Sequence, residues 1–151
     1  MKILLIEDDE KKTEDIREFV TKSRCVSKFE VKESYQSGIK ELLRERYDLL
    51  LLDMSIPTFD KSLEESGGYY EKFGGYKVLK EVSRKKKAIK TVLITMFDDF
   101  GESDESVTLN QIDASLKQEF PDFFLGSVFY HATENKWQEE LNKIITINSN
   151  D

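Results

Sequence analysis

Three acidic residues stand where a chain can put them to use. The segment "ILLIEDDE" places Glu7 and Asp8 directly after an apolar run, and "DLLLLDMSIP" places Asp53 directly after four leucines. A carboxylate at the mouth of an apolar strand must be solvated, paired with a cation or used chemically. If the two runs are neighbouring strands, Glu7, Asp8 and Asp53 meet at one edge. Each close pair there repels by roughly 4 kcal/mol at a surface-like dielectric. Such a cluster shares protons or gathers a cation, and oxygen-only ligands open to water suit Mg²⁺. The blander reading makes Asp8 and Asp9 helix caps, where the dipole favours acids, and Asp53 an ordinary strand-ending residue. Their co-occurrence after two buried strands favours a site.

The elements that must position these acids follow from periodicity. "KILLI" (Lys2 to Ile6), Leu49 to Leu52 and "TVLIT" (Thr91 to Thr95) are continuous apolar runs, the pattern of strands buried on both faces. Phe29 and Val31 alternate with charged residues, as on an edge strand, and Leu125 to Tyr130 forms a last strand. Helical stripes run through Ile16, Phe19 and Val20; Ile39, Leu42 and Leu43; Val78, Leu79 and Val82; Leu109, Ile112, Leu116 and Phe120, stopped by Pro121; and Trp137, Leu141, Ile144 and Ile145. Strict alternation of five strand–helix units predicts an α/β fold, a doubly wound parallel sheet with helices on both faces. Right-handed crossovers bring the carboxyl ends of all strands to one edge, where such folds hold ligands. Strand order is not legible in the periodicity.

Composition narrows the function. With 151 residues and 38% hydrophobic side chains the chain suits one domain with a sizeable core. A net charge of −7 argues against sequence-independent nucleic-acid binding. The basic run "RKKK", Arg84 to Lys87, reads as the solvated end of a helix. Cys25 is the only cysteine and His131 the only histidine, so neither an internal disulfide nor a Cys/His zinc site is available. "MKILLI" is too short for a signal peptide and nothing approaches a membrane span, which gives the cytoplasm as the expected location.

The segments "ILLIEDDE", "DLLLLDMSIP" and "TVLIT" together resemble the receiver domain of bacterial response regulators, over the whole chain apart from two interruptions. The resemblance implies a flavodoxin-like (βα)5 fold with sheet order 2-1-3-4-5. It implies Mg²⁺ held by Glu7, Asp8, Asp53 and the backbone carbonyl of Ser55. It also implies Asp53 as acceptor of a phosphoryl group from a histidine kinase or phosphotransfer protein. Pro57 matches the family's proline after the acceptor. Thr95 matches the hydroxyl residue that binds the phosphoryl group, and Tyr130 the switching aromatic. The chemistry is consistent: in-line transfer needs a nucleophilic oxygen, a bridging metal and donors for the equatorial oxygens.

Two features depart from the family pattern. The lysine expected after the fifth strand falls on Thr133, and the proline after it on Glu134, in "HATENKW". Lys136 is placed in the first turn of the last helix, and His131, two residues before Thr133, faces the same side as that position. Glu7, Asp8 and Asp53 sum to three negative charges, which a divalent cation alone leaves short by one. Weakened phosphorylation and a switch without its usual ion pair are the expectation. Met96, where the family prefers a small residue, is expected to narrow the pocket. Insertions are expected near residues 58–73 and 96–107 of one domain spanning 1–151, both emerging beside Asp53. The first carries Phe59, Tyr69, Tyr70 and Phe73, and both are expected to pack over the acidic site and present a partner surface.

Two functions of different class follow. One is a stand-alone receiver that accepts a phosphoryl group on Asp53 and signals through protein contacts with an output protein, a second copy of the chain being a further option. The other is a degenerate receiver used as a phosphorylation-independent interaction module. Neither is an enzyme in the ordinary sense. "ITINSND" closes the sequence without a DNA-binding segment, so no nucleic-acid or membrane partner is expected. A phosphohydrolase with an aspartate nucleophile would carry a second acid two residues on, where Ser55 stands.

Overall fold

The computed structural model describes residues 1–60, 70–71, 74–85, 88–100 and 107–149, with backbone alone at 70–71 and 99–100. The chain begins β1 (Lys2–Ile6), α1 (Glu10–Thr21), β2 (Lys28–Lys32), α2 (Tyr35–Arg44), β3 (Leu49–Leu52), β4 (Ile56–Pro57) and β5 (Tyr70–Glu71). It continues α3 (Gly74–Arg84), β6 (Lys90–Thr95), β7 (Asp99–Phe100), β8 (Val107–Thr108), α4 (Leu109–Glu119), β9 (Phe124–Phe129) and α5 (Lys136–Ser149). The main sheet has five parallel strands in the order β2-β1-β3-β6-β9. Counting these strands alone, that is the doubly wound 2-1-3-4-5 order that the resemblance implies. β2, expected at an edge, is at one.

The pleat divides the core and thereby aims the acids. Leu4, Ile6, Leu50 and Leu52 join a cluster with Leu42 of α2, Val78 and Leu79 of α3, and Ile112 and Leu116 of α4. Ile3, Leu5, Leu49 and Leu51 face the other way, onto Ile16 and Val20 of α1 and Trp137, Leu141 and Ile145 of α5. Successive strand residues point to opposite faces. Glu7 therefore continues the parity of Ile3 and Leu5, and Asp53 that of Leu49 and Leu51. Ile6 pairs with Leu52 across the parallel ladder, so the residues that follow emerge side by side on the α1 face.

Capping follows the sequence closely. Asp9 is the N-cap of α1, its side chain accepting from the Lys12 backbone N–H at 2.8 Å. Ser34 with Ser37, and Thr108 with Gln111, close capping boxes on α2 and α4. Arg84, in the basic run, ends α3 exposed and paired with Glu81, while Lys86 and Lys87 lie outside the described residues. The last strand begins and ends one residue earlier than the periodicity predicts. A register shift between β6 and β9 accompanies Gly126, whose φ of 150° is one that side-chain-bearing residues rarely adopt.

The two insertions carry short antiparallel pairs. Ile56–Pro57 pairs with Tyr70–Glu71, and Asp99–Phe100 with Val107–Thr108. The first is tied to the start of α2, where Gln36 N donates to Thr58 O at 3.0 Å and Ser37 Oγ to Asp60 Oδ1 at 2.7 Å. Tyr69 and Phe73 lie outside the described residues, as does most of the packing expected over the site.

Gly75 is the point of closest approach behind Asp53. Its N–H donates to Met54 O at 2.8 Å, and a Cβ there would meet Asp53 O at 2.5 Å and Met54 Cα at 2.9 Å. Both obstacles are backbone, so neither can swing aside. Gly75→Ala is expected to destabilise the protein by about 1–3 kcal/mol, the usual cost of forced overpacking. Urea unfolding measures it, and an unchanged midpoint would refute the assignment.

Candidate functional site

Asp53 is 2% exposed and Glu7 1% exposed, at the carboxyl ends of adjacent strands. Between them lies a residue that the motif reading passed over. Lys12, in the first turn of α1, is fully buried. Its Nζ stands 3.1 Å from Glu7 Oε2, 3.2 Å from Asp53 Oδ2 and 2.7 Å from the carbonyl oxygen of Ile94. The ammonium donates hydrogen bonds to Glu7 and to Ile94 O and forms an ion pair with Asp53. Two of the three acceptors are carboxylates, so the desolvation of a buried ammonium is offset by charge as well as by hydrogen bonding.

The fold brings Lys12 here by simple spacing. Residues 12, 16 and 20 lie on one stripe of α1, and Lys12, Ile16 and Val20 are all buried against the sheet. Extending the Ile16–Val20 stripe back one turn lands on Lys12. A lysine at a core position was therefore a signal present in the sequence, obscured by its place in the charged run "EDDEKK".

The remaining predicted residues sort as follows. Both Glu7 oxygens are engaged, Oε2 by Lys12 and Oε1 by the Asp9 N–H at 3.2 Å. Asp8 is half-buried and borders a cleft of about 600 Å³, also lined by Thr13, Arg17, Lys32 and Asp60. Ser55 is buried just beyond Asp53. Thr95 is buried at the end of β6, its Oγ1 accepting from Phe97 N at 3.2 Å, which leaves the hydroxyl proton to be donated. Met96 packs on the cluster containing Tyr130 and Trp137.

Tyr130 points inward, 3% exposed, and its hydroxyl donates to Asp15 Oδ2 on α1. Burial first, then the Asp15 carboxylate, pushes the Tyr130 phenol well above its usual range. Hydrogen bonds from Lys11 and then from Tyr130 hold Asp15 below the ordinary carboxylate value. Thr133 and His131 do not join the acids. Both are exposed, and Thr133 Oγ1 lies 3.0 Å from His131 Nδ1 within a turn of their own. His131, placed by strand parity on the same side as Thr133, lies beyond the end of β9 and is exposed. Its Nδ1 faces Thr133 within a short exposed turn.

The motif reading also missed a positive charge at the acids: Lys12 stands between Glu7 and Asp53 and offsets part of their negative charge. Asp53 Oδ1 is buried and has no hydrogen-bond partner, although Oδ2 is held by Lys12. An orphaned carboxylate oxygen in an all-oxygen donor set suits a hard cation. Among the described residues no three Asp, Glu, His or Cys side chains converge to hold a metal by themselves. Mg²⁺ commonly takes only one or two carboxylates and keeps its waters, so these residues fit it.

No family model matches the chain. It is 28% identical over 143 residues to an uncharacterized protein, y4jR, of Sinorhizobium fredii (strain NBRC 101917 / NGR234), covering 93% of this chain and 94% of that one. It is 26% identical over 148 residues to the Detocs response regulatory protein DtcB of Enterobacter cloacae (strain JD6301), covering 97% and 99%. Among solved structures, the Francisella response regulator 1452 receiver domain superposes with a TM-score of 0.64 at 14% identity, covering 99% of this chain and 96% of that one. Response regulator TrrA of Thermotoga maritima, in complex with Mg²⁺-BeF, gives 0.60 at 19% identity, covering 95% and 97%. The RcsB response regulator of Salmonella typhimurium gives 0.63 at 16%, covering 97% of this chain, which spans only 60% of that protein. The chain has the receiver fold of response regulators, as its motifs led one to expect. Receiver domains are signalling modules of two-component systems. No helix among the described residues is long and apolar enough to cross a membrane.

Glu7 yields a prediction about stability. Burial, reinforced by Asp53 and opposed by Lys12, pushes its carboxyl from 4.5 up to about 9. The folded state then binds this proton more tightly than the unfolded state, so its contribution is lost as pH rises from 4.5 towards 9. Glu7→Gln keeps the shape without the titration. In chelator-containing buffer it should be more stable than wild type by roughly 1–3 kcal/mol at the alkaline end, with the gap closing towards acid. Thermal melts of both proteins across that range read the gap directly, and a constant difference would contradict it.

Proposed function

We propose that this chain is a phosphoacceptor receiver of a two-component pathway, with residues 1–151 acting as one domain. The supporting observation is the division of labour at Asp53: Oδ2 is held by the Lys12 ammonium while Oδ1 is buried without a partner. In the transfer an Asp53 carboxylate oxygen forms a bond to phosphorus. The bond from phosphorus to the donor breaks, and its electron pair leaves with the donor, a phosphohistidine of a sensor kinase or phosphotransfer protein.

Asp8, Asp53 and the Ser55 carbonyl would hold Mg²⁺, with Glu7 behind them because its oxygens already accept from Lys12 and Asp9. When bound, Mg²⁺ neutralises the charge that builds on the acceptor and phosphoryl oxygens. Thr95 donates its hydroxyl proton to a phosphoryl oxygen, and Lys12 pairs with the added charge. Output runs through contacts with another protein rather than nucleic acid, in keeping with the net charge of −7. The chain is not an enzyme in this reading, and the cytoplasm is its proposed location. Access to Asp53 is restricted to a particular kinase, in keeping with a carboxylate that is only 2% exposed.

That same burial favours a second reading, a pseudo-receiver that binds its partner without phosphorylation. One experiment separates them. Wild type and Asp53→Asn are incubated with Mg²⁺ and acetyl phosphate and weighed intact by mass spectrometry. The first reading expects wild type to gain the mass of one phosphoryl group, dependent on Mg²⁺, and Asp53→Asn to gain none. Equal masses before and after would leave the pseudo-receiver standing.

A further inference from the structure

We infer that Lys12 is the cation that holds the phosphoryl group on Asp53, and that the helix carrying it, α1, links the site to Tyr130. The inference rests on the phosphoacceptor reading and adds to it a residue and a route.

The first part follows from position. Lys12 Nζ touches an oxygen of the acceptor carboxylate itself, at 3.2 Å. The position that the motif alignment reserves for a lysine, Thr133, holds a neutral residue engaged with His131. The positive charge at Asp53 thus comes from the opposite side of the sheet edge, on the first turn of a helix.

The second part follows from how the ammonium is shared. Lys12 shares its ammonium among Glu7, Asp53 and the Ile94 carbonyl, hydrogen-bonded to the first and last and ion-paired with Asp53. A phosphoryl group raises the negative charge at one of these acceptors and adds oxygens that accept strongly. The ammonium is then drawn towards Asp53 and away from the other two, which displaces the first turn of α1. Asp15 lies three residues on, on the same side of the helix, and receives the Tyr130 hydroxyl. Phe19, a further turn along, meets Trp137 at 5.5 Å between ring centroids, and Tyr130 meets the same indole at 5.3 Å. Asp15 and Phe19 therefore bring α1 against Tyr130 and against the aromatic ring that stacks on it.

Trp137 is the only tryptophan, so its emission reports on this junction. Three proteins are compared: wild type, Lys12→Met and Asp15→Asn. Each is treated with acetyl phosphate and Mg²⁺ for phosphoryl uptake by mass, and with beryllium fluoride and Mg²⁺ for Trp137 emission. Wild type is expected to take up phosphoryl and shift its emission. Lys12→Met should take it up at least about tenfold more slowly, the effect of losing one adjacent charge, and show no emission shift. Asp15→Asn should take it up within about twofold of wild type yet lose the shift, since a contact remote from the reacting atoms leaves the chemistry intact. A merely structural lysine would not separate uptake from emission in this way.

Uptake by a folded Lys12→Met at the wild-type rate overturns the first part, and an unaltered emission shift in Asp15→Asn overturns the route. No uptake by wild type overturns the phosphoacceptor reading and this inference together, which distinguishes that failure from the other two. Should circular dichroism show Lys12→Met unfolded, the Lys12 ammonium resonance of wild type decides by NMR. A shift on adding beryllium fluoride and Mg²⁺ supports the contact, and an unmoved resonance refutes it.

Discussion

A lysine with no exposed surface must give its charge acceptors, and the three that Lys12 finds bind together parts of the chain that are far apart in sequence. Glu7 follows β1, Asp53 follows β3 and Ile94 belongs to β6. One ammonium thus spans three neighbouring strands from the first turn of α1. It can do so only because Glu7 and Asp53 share the parity that faces that helix. Had either strand slipped by one residue, its acid would have turned to the α2–α4 side and left the buried lysine one carboxylate short, at a cost of several kcal/mol. The charge pair therefore depends on the sheet register as closely as the leucine core does.

Much of this was legible in the sequence, for physical reasons that can be named. Continuous apolar runs such as "ILLI" and "LLLL" fit strands covered on both faces, and Ile3–Ile6 and Leu49–Leu52 proved fully buried. The stripes of α1 to α5 gave both helical layers, because a helix that covers a sheet needs apolar residues every third or fourth position. The acids were found because a charge directly after such a strand is conspicuous. Strand order was a different matter. Periodicity says how a strand is covered, not which strand lies beside it, and the order came from the resemblance alone.

What was not legible depended on three dimensions. Lys12 sits among charged neighbours, and Glu10, Lys11 and Glu14 all belong to the exposed or half-exposed side of the same turn. Linear reading assigns such a run to solvent as a block. Only the helical angle separates Lys12 from them, and the stripe was read from Ile16 onward. The end of the last strand was misplaced by one residue for a related reason. "FLGSVFY" is apolar at both ends and does not mark its own limits, and a bulge beside Gly126 lets the chain gain a residue against β6. The turn from His131 to Thr133 was expected near the acids because strand parity was extended past the point where the strand stops.

The relation between Thr133 and Lys12 bears on how a departure from a motif should be read. An alignment records which residue occupies a place in the chain, whereas a phosphoryl site requires a charge at a place in space. Several elements converge on the carboxyl edge of a doubly wound sheet, so more than one can deliver a long cationic side chain there. A lysine on a strand-end loop is anchored at its own strand. A lysine on α1 is anchored to a helix that also holds Asp15 and Phe19, and any force on its ammonium is borne by that helix. Moving the charge from one element to the other still gives the acidic site a cation, but changes which part of the molecule is attached to it.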